Sequence, residues 1–298
     1  MKVLAIGECM AELAPTDNVG TLTLGFAGDT FNTAWYLARL APEIEVSFFT
    51  ACGEDTLSRD MRAFVRASGI DDTYVQTISK GTIGLYIISL DKGERSFTYW
   101  RGQSAARQLA NDGARLGKAI AETDIIYFSG ITLGILSPKA RERLFLALRV
   151  ARKDGKIVIF DPNLRPKLWA SEDEMTETIM AAATVSDIAL PSYEDEAEFF
   201  GDASPKDTAT RYQKAGVRTV VVKNGAEPIH VCEGMARDDI AVPTVNNVVD
   251  TTAAGDSFNA QVIAGVAQYV PLKESVLAAS AIASQVIQNR GALYEVTT

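Results

Sequence analysis

The 298-residue chain is 47% apolar and 22% charged, a globular composition far from the disordered or collagenous extremes. Its 38 acidic against 29 basic side chains leave a net charge of −9, which excludes sequence-independent nucleic-acid binding built on many Lys- and Arg-phosphate contacts. No membrane-spanning run is present, the start Met1-Lys2-Val3-Leu4-Ala5-Ile6-Gly7-Glu8 does not read as a signal peptide, and Cys9, Cys52 and Cys232 are too scattered for disulfides or zinc, so a cytoplasmic setting is expected.

In chain order, Val3 to Ile6 is expected to be a first strand, residues 13–26 have little helical period, residues 32–40 read as a helix and Ile44 to Thr50 as a strand. Leu57, Met61, Phe64 and Val65 then recur at i, i+4, i+7 and i+8, with Asp55 as N-cap and Gly69 as stop. From Tyr74 to Arg101 the helical period vanishes. There Ile83 to Ser89 faces Ser96 to Trp100 across Leu90-Asp91-Lys92-Gly93-Glu94-Arg95, a hairpin signal. Beyond it, the strands Ile125 to Ser129, Ile157 to Phe160, Asp187 to Leu190 and Thr219 to Val222 alternate with helices near 138–153, 174–183, 205–215, 255–269 and 273–289. Unbroken apolar strands are buried on both faces, so the rhythm predicts an α/β fold with a mostly parallel sheet between helical layers. The expected core is 1–12, 27–72 and 102–298, and the expected β lid is 13–26 with 73–101. Such a lid closes over the carboxyl ends of the parallel strands, where open α/β sheets bind ligands.

The segment Val249-Asp250-Thr251-Thr252-Ala253-Ala254-Gly255-Asp256-Ser257-Phe258 opens a helix of small residues. Amides at a helix start are unpaired and lie at the positive end of its dipole, so Ala253, Ala254, Gly255 and Asp256 form a candidate anion hole. Asp256 in the first turn is placed to align a hydroxyl and take its proton. The plainer reading, a capped helix with a dipole-favoured acid, stays open on the residues alone. No GxxxxGK[ST] is present and no GxGxxG follows the first strand, which removes P-loop and dinucleotide readings.

Asp250-Thr-Thr-Ala-Ala-Gly-Asp256 resembles the carboxyl-proximal DTxGAGD signature of ribokinase-like (PfkB) sugar kinases. The resemblance implies a ribokinase-like three-layer sandwich with a small β-sheet lid, Asp256 as catalytic base, residues 253–256 as anion hole, and Asp250 near the substrate or a cation. Ala253 stands where the usual pattern has glycine, and the hole survives that change if the local φ is negative. Gly25-Phe26-Ala27-Gly28-Asp29-Thr30-Phe31-Asn32 is similar to the family's GG-x-x-x-N element, which offers Gly28, the Asp29 carboxylate and the Asn32 amide to sugar hydroxyls. A ligand-free Asx helix start is the plainer alternative there.

Weaker matches follow in order. Glu12 lies five residues after Gly7, where the family tends to place a sugar-binding acid. Asp161-Pro162-Asn163-Leu164-Arg165 ends a strand. Ser192-Tyr193-Glu194-Asp195 holds the place of an NxxE element that tunes magnesium, which leaves Asp195 or Glu194 as an indirect metal candidate. Lys223-Asn224-Gly225 resembles the loop bordering ATP, and Gly291-Ala292 matches a small pair near the carboxyl end. On this resemblance Asn163, Arg165, Ser192, Lys223, Gly225 and Asn289 join residues 253–255 on the ATP side.

Gly7-Glu8-Cys9-Met10, Gly28-Asp29-Thr30-Phe31-Asn32 and Tyr99-Trp100-Arg101 all look like bacterial 2-keto-3-deoxygluconate kinases. A sugar acid needs a guanidinium, for which Arg101 and Arg165 are the candidates, while Tyr86 and Tyr99 give hydroxyls and an apolar wall. The alternative is a solvated Arg101 and packing tyrosines. The implied reaction is ATP- and Mg²⁺-dependent phosphorylation of the C6 hydroxyl, with room for a monovalent cation and a homodimer through the lid. A fructokinase- or ribokinase-type enzyme and a non-catalytic sugar- or nucleotide-sensing module are the competing readings. His230 has no partner motif and is expected to be structural or at the surface.

Overall fold

Short apolar runs between amphipathic helices can bury both strand faces only between two helical layers. The computed structural model, which describes residues 1–297 apart from 17, 19, 92 and 93, has that arrangement. Lys92 and Gly93 of the expected hairpin turn, Asp17 and Val19 of the first expected lid segment, and Thr298 lie outside the described residues.

The first hundred residues form β1 (Lys2–Ile6), β2 (Met10–Pro15), β3 (Leu22–Ala27), α1 (Asp29–Leu40), β4 (Glu45–Cys52), α2 (Thr56–Ala67), β5 (Val75–Thr77), β6 (Leu85–Asp91) and β7 (Glu94–Trp100). The middle of the chain forms α3 (Gly113–Ala121), β8 (Ile125–Ser129), α4 (Gly130–Ile135), α5 (Pro138–Lys153), β9 (Ile157–Asp161), α6 (Glu172–Ala183), β10 (Ile188–Ala189) and α7 (Tyr193–Phe200). The remainder forms α8 (Pro205–Lys214), β11 (Thr219–Val222), β12 (Ile229–Glu233), β13 (Ala236–Ile240), α9 (Ala254–Ala267) and α10 (Leu272–Val286).

Nine strands make one sheet in the order β13-β12-β11-β10-β9-β8-β1-β4-β5. All its pairings are parallel except β11 with β12 and β12 with β13. From β1 the chain moves outward to β4 and β5, then returns to place β8 on the other side of β1. That reversal opens a crevice at the carboxyl ends of β1 and its neighbours. Alternate residues of β1 divide between two cores. Val3 and Ala5 join Phe31, Tyr127 and Phe258 on one face, and Leu4 and Ile6 join Phe128, Phe160 and Leu144 on the other.

A second sheet, β3-β2-β6-β7, stands beside this crevice, with β2 and β6 parallel and its other pairs antiparallel. Its Met10, Ala27, Tyr86 and Ile88 pack with Ala292 in a small third core.

Several elements escaped the sequence reading. β13 has four exposed residues in five, so neither alternation nor an apolar run betrays it, and its charges suit an unpaired sheet edge. α3, α4 and α7 are short helices in stretches left unassigned, and β10 shrinks to Ile188–Ala189. His230 is indeed structural: it is buried, with Nδ1 2.6 Å from Asp239 Oδ1 and Nε2 3.4 Å from Cys232 Sγ.

The turn from β8 into α4 helps shape the crevice floor. Ser129 and Thr132 form a reciprocal capping box, and Thr132 Oγ1 donates to Ile6 O at 2.8 Å, tying the turn to the end of β1. A Cβ on Gly130 would lie 1.8 Å from Pro162 O, where a backbone atom cannot yield. Gly130→Ala is expected to cost about 2–3 kcal/mol of stability in urea denaturation, and an unchanged midpoint would show that the turn relaxes freely.

Candidate active site

The crevice is built around the start of α9. Ala253 precedes it with φ 59°, in the left-handed region, so the condition of a negative φ under which all four amides would form the hole is not met. This geometry turns the Ala254 amide onto Thr251 O at 3.2 Å, which removes Ala254 from the expected hole. Among the described residues the amides of Gly255 and Asp256 have no backbone acceptor, and they are the donors the helix start presents.

Asp256 lies partly open to the crevice, its Oδ2 accepting from Asn32 Nδ2 at 2.8 Å. Burial and then the nearby Asp29 charge push its pKa up to about 8, with Asp161 adding to the rise while Asn32 and Lys223 oppose it. Asp29, in the first turn of α1, accepts from Asn163 Nδ2 at 3.0 Å, and burial raises its pKa too. Asn163, expected beside ATP, thus bonds to an acid expected on the sugar side, in a backbone conformation with φ 34°. Gly28 has no room for a side chain, since a Cβ would meet Glu8 O at 2.1 Å.

The lid supplies the opposite wall. Glu12 and Tyr86 are paired across β2 and β6, and the Tyr86 hydroxyl donates to the Glu12 carboxylate. Tyr99 is opposite Tyr86 on β7, with ring centroids 5.6 Å apart. Burial raises the Tyr99 pKa, and the charges of Arg101 and then Arg165 pull it back, so both candidate guanidinium groups bear on this wall.

Arg101 is not the solvated flap residue of the plainer reading. Its side chain is 11% exposed and its guanidinium donates to Glu8, itself 1% exposed, whose other oxygen accepts from Ser104 Oγ. Among the described residues, Arg101 Nε is buried without a partner. Arg165 stays half exposed, with Nη1 3.3 Å from Asp195 Oδ2 and 2.5 Å from its neighbour's carbonyl, Leu164 O.

On the far side of the helix start, Lys223 follows β11 and points its ammonium inward. Lys223 Nζ is 3.2 Å from Asn259 Oδ1, 3.4 Å from Asp161 Oδ2, and 3.6 Å from where a Gly255 Cβ would stand. Asn259 Nδ2 donates to Asp161 Oδ2 at 2.7 Å and to the Tyr127 hydroxyl at 3.1 Å, so a buried polar network holds the cation at the positive end of α9. Ser192 bridges Lys223 backbone to backbone at the head of α7. Burial raises the Asp195 pKa, while Arg165 lowers it. Glu194 is exposed one residue away, and Gly225 takes φ 59° in the exposed loop after β11.

Two expected site residues also bind the protein locally. The Asp250 carboxylate accepts from Thr252 N and Oγ1, at 3.1 and 2.7 Å, and from Gly291 N at 2.8 Å, which fastens the loop before α9 to the carboxyl-terminal segment. Asn289 donates to Gln285 O at 2.9 Å, just past α10.

The pfkB family carbohydrate kinase model matches residues 1–298 of this chain. The chain belongs to the pfkB family of carbohydrate kinases. It is 38% identical to 2-dehydro-3-deoxygluconokinase of Escherichia coli K12 over 98% of its length and 96% of that protein. It is likewise 38% identical to the Haemophilus influenzae 2-dehydro-3-deoxygluconokinase, over 99% of its own length and 96% of the other. In structure it is similar to the PfkB protein from Polaromonas sp. JS666, with a TM-score of 0.86, 27% identity and 96% of each chain covered.

Seen within the pfkB family, the sequence reading missed Glu8, Ser104, Asp161, Asn259 and Tyr127. A carboxylate directly behind an apolar strand was a signal for Glu8. Nothing local marked the others. Ala253 bears the strain that glycine would avoid, roughly 1 kcal/mol for an alanine at positive φ. Ala253→Gly is expected to raise stability by up to about 1 kcal/mol in thermal unfolding while leaving kcat within twofold, and a loss of stability would mean the buried methyl outweighs the strain.

Proposed function

We propose that this pfkB family kinase transfers the γ-phosphoryl group of ATP to the C6 hydroxyl of 2-keto-3-deoxygluconate, also called 2-dehydro-3-deoxygluconate. The observation that carries the reading is 38% identity, over nearly the whole length, to 2-dehydro-3-deoxygluconokinases. The site's chemistry agrees with it. Arg101 and Arg165 beside Tyr99 suit a substrate with a carboxylate, a group that fructose and ribose lack.

Phosphoryl transfer asks for in-line alignment and neutralisation of charge on the moving group. The Gly255 and Asp256 amides and the Lys223 ammonium are positioned for the γ-phosphate, while Asp256 orients the acceptor hydroxyl and takes its proton. A magnesium ion bound with the nucleotide would supply further charge neutralisation. Among the described residues no group of three or more His, Cys, Asp or Glu forms a metal cage. Asp161 Oδ1, buried and without a partner among the described residues, and Asp195 are the carboxylates that would help to hold the magnesium ion.

Leu22, Leu24 and Trp100 share the lid's outer face, at 47%, 47% and 55% exposure, and a second copy of the chain would cover them in a homodimer. The buried thiols of Cys9, Cys52 and Cys232 agree with a cytoplasmic setting.

Turnover of 2-keto-3-deoxygluconate is expected to exceed that of fructose and ribose by at least about a hundredfold in kcat/KM. Equal rates would refute the sugar-acid assignment. Asp256→Asn is expected to lower kcat by about 10²–10⁴ with little change in the KM for ATP. Because the base must be ionised and its pKa is pushed up to about 8, kcat/KM should climb as pH rises through that value. A profile flat from pH 6 to 9 would remove Asp256 from the role. Arg101→Ala should raise the KM for the sugar acid by about tenfold or more, and an unchanged KM would leave Arg101 a purely structural partner of Glu8.

A further inference from the structure

The GG-x-x-x-N resemblance offers the Asn32 amide to the sugar, but both ends of that amide are already engaged. Asn32 Oδ1 accepts from Gly28 N at 3.2 Å, and Asn32 Nδ2 donates to Asp256 Oδ2 at 2.8 Å. The side chain is 5% exposed. Its orientation follows from chemistry: a backbone N–H only donates, so the oxygen must face Gly28 and the nitrogen must face the carboxylate. Gly28 in turn is fixed. Its carbonyl accepts from Asn32 N at 2.6 Å, and Glu8 O fills the space a side chain would need.

We infer that Asn32 is a positioning residue for phosphoryl transfer: it commits one oxygen of Asp256 to its amide and turns the other towards the acceptor hydroxyl. The inference rests on Asp256 being the base. In the step it serves, the acceptor oxygen bonds to the γ-phosphorus, the bond from phosphorus to the ADP oxygen breaks, and the hydroxyl proton passes to Asp256 Oδ1.

A second consequence is electrostatic. The charged and titratable groups facing Asp256 are Asp29 and Tyr36 from α1, Tyr127 from β8, Asp161 at the end of β9 and Lys223 after β11. The two carboxylates oppose its ionisation and Lys223 favours it. Among the described residues, Asn32 is the group that donates a side-chain hydrogen bond to it. Removing that donor leaves a half-buried carboxylate against two others, so the proton is held more tightly.

The test is the pH dependence of kcat and kcat/KM for wild type, Asn32→Ala and the isosteric Asn32→Asp, with saturating magnesium-ATP and the sugar that wild type phosphorylates best. With Asn32→Ala the acidic limb is expected to move about one unit to higher pH. Its kcat should fall at least tenfold at pH 7 and recover in part at pH 9, with the KM for sugar changing less than threefold. Asn32→Asp, which sets a third carboxylate beside the first two, should move the limb further, and it gives the same reading if alanine lowers the yield of folded enzyme. A tenfold rise in sugar KM with the limb unmoved would make Asn32 a sugar ligand and overturn the inference. A uniform loss of kcat at every pH would overturn it too. Wild type inactive on 2-keto-3-deoxygluconate but active on another sugar would instead strike the substrate assignment, and a fully active Asp256→Asn the base.

Discussion

A pfkB family kinase of net charge −9 has to gather positive potential locally for the phosphoryl group it transfers, and on the proposed reading it does so where α9 begins. The helix dipole and two unpaired amides give part of it, and the Lys223 ammonium gives the rest. That cation is held in place by Asn259, on the same helix one turn on, and by Asp161 from the neighbouring strand end. The rest of the site is arranged about this point.

The same crowding sets the chemistry of the base. An aspartate in water is a weak base at neutral pH, because its conjugate acid is too strong to hold a proton. Burial and two neighbouring carboxylates move Asp256 into the range where it both loses and accepts a proton readily. On the proposed reading the cost is a base that is mostly protonated at pH 7, even with Lys223 and Asn32 opposing the rise.

How much of this was legible depended on how far apart in sequence the partners lie. Asp256, Asp29 and the helix starts were found because one short segment carries both the residue and the backbone that places it. The strands β8 and β11 and the helix α5 fell at their expected bounds, because continuous burial and strong periodicity are local patterns. Glu8 with Arg101, and Asn259 with Asp161, are joined only by the fold, at separations of 93 and 98 residues. Asn32 was singled out by its motif, but the bonds its amide makes to Gly28 and Asp256 are set by the fold and cannot be read from the surrounding sequence. The bonds of Asp250 to Thr252 and Gly291 were hidden in the same way. The left-handed turn at Ala253 was hidden because alanine is a residue from which that conformation is not anticipated.

Glu8 touches two parts of the molecule at once. Its carboxylate grips Arg101 below the lid, and its carbonyl presses on Gly28, which anchors Asn32 and through it Asp256. A path of direct contacts thus joins the substrate-selecting wall to the proton acceptor through five residues. Evolution toward a neutral sugar cannot simply discard the arginine, because Glu8 would be left as a buried, uncompensated charge beside the backbone that seats the base. A change at Arg101 is therefore expected to need a matching change at Glu8.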